Sequence, residues 1–276
     1  MLDRWAPAGQ TGVGDRASAW LTRRLSSMTA VYVTLGCSAG WMVLGAPGLL
    51  GFDPYPYPLL LFAPGGMRSS IEFWHRSPFD PTKEFAGDFR VIAMDQRNAG
   101  RSRGPLSAAD GWLTYTSDHV ALLDHLGIRR THIMGGCIGS SYCLSLIKAA
   151  PERVSAAVLQ NPIGLKDNRE AFREMFDGWA AELKGQHPET NDSALASFRD
   201  NMYGGDFVFS VPRKFVSSCT TPMILLNGSD QYHPAEISAE ISRLNPRIEV
   251  VAEWKIPETT LEAAKQVRAF LKKQLG

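Results

Sequence analysis

The chain has 276 residues, 29 Lys and Arg against 28 Asp and Glu for a formal net charge of +1, and 44% hydrophobic residues of which the aromatics make up 10% of the chain. That length is enough for one large α/β domain or two small ones with a proper core, which excludes a scaffold dependent on staples. Balanced charge excludes an electrostatic footprint for nucleic acid, and the aromatic content excludes a mostly disordered chain.

The first 27 residues are rich in Gly, Ala and Arg, with a basic stretch from Arg16 to Arg24, and predict a loosely held arm. From Leu25 to Phe52 no charged residue occurs, and two readings stay open. Val31, Val33 and Leu35 alternate with Tyr32 and Thr34, turn at Ser38-Ala39-Gly40 and continue as Trp41 to Leu44, the pattern of a β-hairpin opening a sheet. The alternative for residues 25–52, a membrane span or the core of an export signal, rests on length, and five glycines and Pro47 weigh against it.

Beyond the proline-punctuated stretch Pro54 to Pro58, Leu59 to Ala63 is an apolar run of buried-strand type, closed by Pro64-Gly65-Gly66. Arg90 to Met94 is a second strand and ends in Asp95. A helix is predicted from about Tyr115 to Leu126, apolar at Val120, Leu122, Leu123 and Leu126 and stopped by Gly127. The strand Thr131 to Met134 runs into Gly135-Gly136-Cys137-Ile138-Gly139-Ser140. A helix from Ile138 to Ala150 follows, ended by Pro151, and then the strand Ala156 to Gln160. Continuous apolar strands alternating with helices predict a parallel sheet covered on both faces.

From residue 166 to 216 the pattern changes to charged helical segments, Asn168 to Leu183 and Ser193 to Tyr203, with Phe172, Phe176 and Trp179 on an apolar face. This predicts a small helical insertion. The α/β pattern then resumes with the strand Met223 to Leu226, the helix Ala235 to Leu244, the strand Ile248 to Ala252 and a final helix Leu261 to Leu275. The organisation expected is an arm over 1–27, a core over 28–165 and 217–276, and a cap over 166–216.

Chemistry concentrates at the G-x-C-x-G segment around Cys137. Glycines two residues before and after let the backbone turn sharply between strand and helix, so that one side chain is thrown up at the strand's carboxyl end. There the helix dipole lowers a thiol's pKa and unpaired N–H groups await an oxyanion. The four cysteines, 37, 137, 143 and 219, have no paired C-x-x-C spacing, which predicts free thiols in a reducing compartment. A cytoplasmic location follows, with export or anchoring through residues 25–52 as the alternative. No metal-ligand cluster, Rossmann glycine fingerprint or phosphate loop occurs, so neither metal nor cofactor is expected.

Three further segments join that elbow: Phe62-Ala63-Pro64-Gly65-Gly66-Met67, Asp95-Gln96-Arg97-Asn98-Ala99-Gly100-Arg101-Ser102, and Asn227-Gly228-Ser229-Asp230. With Pro151-Glu152-Arg153-Val154 they make the sequence from about residue 59 onward resemble the α/β-hydrolase fold family, most of all its branch of proline iminopeptidase-like, cap-bearing hydrolases. The resemblance implies an eight-stranded, mostly parallel sheet flanked by helices. It also implies a helical cap inserted after the sixth strand and a nucleophile, acid and histidine acting together. Carried over by position, Cys137 is the nucleophile, the amides of Ile138 and of Gly66 or Met67 form the oxyanion hole, and Asp230 is the acid.

Two departures from the family stand out. Cys replaces the usual Ser at the elbow, and a thiolate is the better intrinsic nucleophile. The family's histidine normally lies on the loop after the last strand, where this chain reads Glu253-Trp254-Lys255-Ile256-Pro257, and no histidine follows His233. His233 lies three residues after Asp230 and is the expected replacement, either oriented by Asp230 or acting in a Cys-His dyad. Trp254 lines the pocket or packs.

The expected function is hydrolysis of a small, partly apolar ester, thioester or lactone through an acyl-cysteine intermediate, with Phe172, Phe176 and Trp179 contributing to substrate binding. The partners expected are a small-molecule acyl substrate and no nucleic acid, with homodimerisation left open. The alternatives are a lyase, cyclase or isomerase on the same fold, or an inactive binding protein.

Overall fold

The computed structural model describes residues 56–275. Six strands form one parallel sheet: β1 (Pro58–Phe62), β2 (Arg90–Met94), β3 (Thr131–Gly136), β4 (Val154–Gln160), β5 (Met223–Leu226) and β6 (Glu249–Val251), in the order β2-β1-β3-β4-β5-β6. The eight-stranded sheet of the sequence reading is therefore six-stranded among the described residues. The predicted arm over 1–27, the hairpin at residues 30–44 and the uncharged run at 25–52 lie outside them.

The continuous apolar runs are explained by burial on both faces. Every residue of β1, β3, β4 and β5 is buried. Along β1, Leu60 and Phe62 enter one core layer and Leu59 and Leu61 the other, the two-residue period of a strand expressed on two covered faces. The edge strands β2 and β6 carry the exposed positions.

The helices are α1 (Pro81–Glu84), α2 (Trp112–His125), α3 (Ile138–Ala149), α4 (Arg169–Leu183), α5 (Asp192–Tyr203), α6 (Arg213–Ser218), α7 (Ala235–Leu244) and α8 (Pro257–Lys273). The helical insertion, α4 to α6, leaves the sheet between the fourth and fifth described strands. Among the described residues, no helix is long and apolar enough to cross a membrane.

The apolar stripe of α4 is fully used in packing. Phe176 meets Trp179 at 5.3 Å and Phe198 of α5 at 5.2 Å between ring centroids, Phe172 stacks on Tyr203 at 5.3 Å, and Trp179 Nε1 donates to the Asn98 carbonyl at 3.1 Å. The expectation that Phe172, Phe176 and Trp179 contact substrate is corrected accordingly. At 1%, 0% and 1% exposure they are the core that fastens the insertion to the sheet. Helical periodicity cannot distinguish a stripe facing a ligand from one facing another helix.

The Asp95 to Ser102 segment is likewise architectural. The Asp95 carboxylate accepts from the N–H groups of Ile71 and Arg101, both at 2.8 Å. Arg97 forms a two-pronged pair with Asp118 of α2 at 2.9 and 2.5 Å, and Gln96 Oε1 meets the buried His119 ring at 2.8 Å.

Candidate active site

The chain moves outward from β1 to β2 and then returns to the other side of β1 to lay down β3. Where the direction of winding reverses, loops leaving neighbouring strands part and open a crevice at the carboxyl ends. Phe62 pairs with Gly135 across this point, so Pro64 to Met67 and Cys137 emerge side by side.

Cys137 has φ 58° and ψ −120°, a backbone region that non-glycine residues occupy only when the surroundings enforce it. The enforcement is visible. Cys137 N–H donates to the Gln160 carbonyl at 2.9 Å, and the Ser140 hydroxyl donates to the carbonyls of Gly135 at 2.9 Å and Gln160 at 3.0 Å. A Cβ at Gly135 would lie 2.0 Å from the Gly139 carbonyl oxygen, and one at Gly139 would lie 2.1 Å from that of Phe62. Backbone atoms on both sides cannot yield as a flexible side chain would. Gly135→Ala is therefore expected to lower stability by about 3 kcal/mol or more, measured by urea denaturation. An unchanged midpoint would refute the close-packed elbow.

On the loop after β5, His233 approaches from the neighbouring strand end. Its Nδ1 meets Asp230 Oδ1 at 2.6 Å, and the same oxygen accepts from the backbone N–H groups of Tyr232 at 3.1 Å and His233 at 3.2 Å. Three residues separate the two, and their side chains meet because the segment closes as a tight turn, Asp230 and His233 each donating a backbone N–H to the other's carbonyl at 3.2 and 3.0 Å. Gly228 makes room for that turn, since a Cβ there would stand 2.3 Å from the His233 carbonyl oxygen.

His233 Nε2 is buried and among the described residues has no hydrogen bond of good geometry; the titratable group beside it is the half-buried Cys137 thiol. Burial pushes the thiol up. The His233 imidazolium, with the N–H groups of Gly65 and Ile138, outweighs burial and holds Cys137 below its ordinary pKa. Burial pushes His233 down, and the Cys137 thiolate and Asp230 outweigh it, raising His233 to about 9. Asp230 resists burial through His233 and Lys255, which keep its carboxyl well below the usual carboxylate range. Lys255 Nζ lies 3.3 Å from Asp230 Oδ2 and 2.9 Å from Ser229 Oγ. Cys137 and His233 each favour the charged form of the other, an arrangement suited to attack on an electrophilic carbon and to delivery of a proton to a leaving group.

The other described histidines stand apart. Burial pushes His119 down to about 3 and His132 down to about 4, holding both neutral within the fold. His75 pairs with Asp80 at 2.7 Å on the surface, and His187 with Glu189 at 2.7 Å. Cys143 and Cys219 are buried, and burial pushes the Cys143 thiol well above its ordinary value. Among the described residues, no group of three His, Cys, Asp or Glu is arranged to hold a metal ion.

The backbone N–H groups of Ile138 and of Gly65 lower the Cys137 pKa. Met67 N–H is directed instead to Met175 Sδ of α4 at 3.5 Å, and the same sulfur would lie 2.6 Å from a Cβ at Gly66. A methionine of the insertion thus covers this turn, a tertiary contact without a local signal.

Cys137 opens on a cleft of about 270 Å³. Trp254 lines it, as one of its two expected roles required, and is held by Nε1 donating to the Asn227 carbonyl at 2.8 Å. Arg76, Gln160, Asn161 and Lys255 also line the cleft and were not anticipated. Gln160 and Asn161 close a strand end at the sheet's ligand side, which is a usable signal. Arg76 ends a short 3-10 segment, Ile71–Arg76, and carries none.

Residues 58–251 match the model of the alpha/beta hydrolase fold family. Among curated proteins the chain is 34% identical to RutD of Caulobacter sp. (strain K31) over 133 residues, 48% of this chain and 45% of that one. It is 36% identical to a proline iminopeptidase of Neisseria meningitidis over 103 residues, 37% of this chain and 31% of that one. The chain thus spans less than half the length of these curated relatives. A meta-cleavage product hydrolase of Pseudomonas fluorescens IP01 superposes with a TM-score of 0.57 at 16% identity, over 79% of this chain and 92% of that one. At that identity the likeness is one of fold.

Proposed function

The chain belongs to the α/β-hydrolase fold family, and from that premise we propose that it hydrolyses a small ester, thioester or lactone through a covalent acyl-cysteine intermediate. The observation that carries this is Cys137 on a strained elbow beside His233, which is itself bound to Asp230 at 2.6 Å.

Cys137 Sγ attacks the acyl carbon, and the developing oxyanion is received by the N–H of Ile138 with that of Gly65 in the role expected of Gly66 or Met67. As the carbon–oxygen or carbon–sulfur bond to the leaving group breaks, His233 supplies the proton that neutralises it. Neutral His233 then takes a proton from water as its oxygen attacks the acyl carbon. The S–C bond breaks, releasing the acid and restoring the thiolate beside the imidazolium. Asp230 fixes the ring and supports its charge throughout. The cleft's volume favours short acyl groups over long chains.

Intact-protein mass spectrometry during turnover of p-nitrophenyl acetate is the direct test. An acetyl adduct that maps to Cys137 and disappears as substrate is exhausted is the expected result. Turnover with no adduct, or with the adduct on another residue, would overturn the mechanism.

A further inference from the structure

We propose that the Cys137 cleft selects acyl substrates bearing a free carboxylate, in the class of half-esters and half-thioesters of short dicarboxylic acids. The substrate class rests on the acyl-cysteine reading above, whereas the anion site itself rests on the charges of the cleft.

Among the described residues, the ionic side chains lining the cleft besides the thiol are both cationic, Arg76 and Lys255. Their situations differ. Lys255 is engaged with Asp230 at 3.3 Å, and Asp230 in turn balances His233. The thiolate balances the imidazolium. Arg76 is left over, since among the described residues its guanidinium has no carboxylate within ion-pair distance and instead sits 5.3 Å from the centroid of Phe73, another wall of the cleft.

A guanidinium held over an aromatic face has lost part of its conformational freedom and keeps its planar fork for a carboxylate. Arg76 and Cys137 line the same space of about 270 Å³, so a molecule attached at Cys137 lies in the field of this charge. Among the described residues, no acidic side chain lines the cleft to repel a carboxylate.

The cleft wall also carries polar side chains. Gln160 is 3% exposed and gives its Nε2 to Ser77 Oγ at 2.9 Å, while among the described residues its Oε1 and the buried Asn161 Oδ1 have no donor. Both residues line the cleft.

The full chain is tested with two alkylating probes of similar size and different charge. Iodoacetate carries a carboxylate and iodoacetamide does not; in each case the S–C bond forms and iodide leaves. Rates at Cys137 are followed by peptide mass spectrometry at pH 7 and low salt, with glutathione as the free-thiol reference. The iodoacetate-to-iodoacetamide rate ratio is expected to exceed that of glutathione by roughly tenfold. It should fall toward the glutathione value in Arg76→Gln, and also in wild type as salt screens the site. A wild-type ratio at or below that of glutathione overturns the proposal, and so does an elevated ratio that Arg76→Gln leaves unchanged.

Turnover of a succinyl against a butyryl thioester separates this proposal from the hydrolase reading. Preference for the succinyl thioester supports both. Equal turnover of the two removes the anion preference and leaves the hydrolase standing. Turnover of neither, with the alkylation ratio still elevated, removes the hydrolase and leaves the anion site.

Discussion

Cys137→Ala is expected to lower kcat/KM toward p-nitrophenyl acetate by about a thousandfold or more, because the nucleophile is removed while the rest of the cleft stays in place. Alanine keeps the Cβ, so the φ of 58° is as strained as in wild type and the elbow's hydrogen bonds to Gln160 and Gly135 do not involve the lost sulfur. Thermal unfolding is therefore expected to remain close to wild type, which separates loss of chemistry from loss of fold. A Cys137→Ala enzyme that retains its activity would leave no acyl-cysteine mechanism to defend. Loss of activity together with loss of folding would be resolved by the acetyl-adduct experiment on the wild-type chain.

His233→Ala is expected to have the second largest effect, and its signature lies in the pH dependence. In wild type Cys137 titrates below its ordinary pKa, so the acid limb of its alkylation with iodoacetamide is expected at lower pH than that of a free thiol. With the imidazolium gone, the burial that pushes the thiol up is opposed only by the N–H groups of Gly65 and Ile138. The acid limb of the alkylation profile should move to higher pH, and the rate at pH 7 should drop by about tenfold or more.

Hydrolysis follows a different alkaline limb. Alkylation needs only the thiolate and persists as pH rises, whereas hydrolysis also needs a protonated His233 and is lost as pH rises through about 9, where His233 gives up its proton. A bell-shaped hydrolysis profile beside a one-sided alkylation profile is thus expected. An acid limb that does not move in His233→Ala would show that His233 has no part in forming the thiolate.

Much of the scaffold was legible before any coordinates because the signals are local. Leu59 to Ala63 reads as a strand because each residue there must be apolar to sit between two layers. Gly135 and Gly139 read as an elbow because only glycine allows that approach of strand to helix. Other elements needed the fold. Phe172, Phe176 and Trp179 have the same periodicity whether they face a ligand or the rings of Phe198 and Tyr203. The acidic and histidine side chains of one turn were recognised, but not the turn's closure, which depends on Gly228 lying against the His233 carbonyl.

By itself, the sequence determined the parallel sheet, the elbow and the position of its cysteine, since hydrophobic period and glycine sterics act over a few neighbouring residues. Only the tertiary structure decided which amide stands beside Ile138, which wall of the cleft is charged and what covers the turn after β1. Those groups come from segments as distant as Gly65, Arg76, Gln160, Met175 and Lys255. What brings most of them together is the parallel register of the strands: it gathers their carboxyl ends at one edge of the sheet, on either side of the point where the winding reverses.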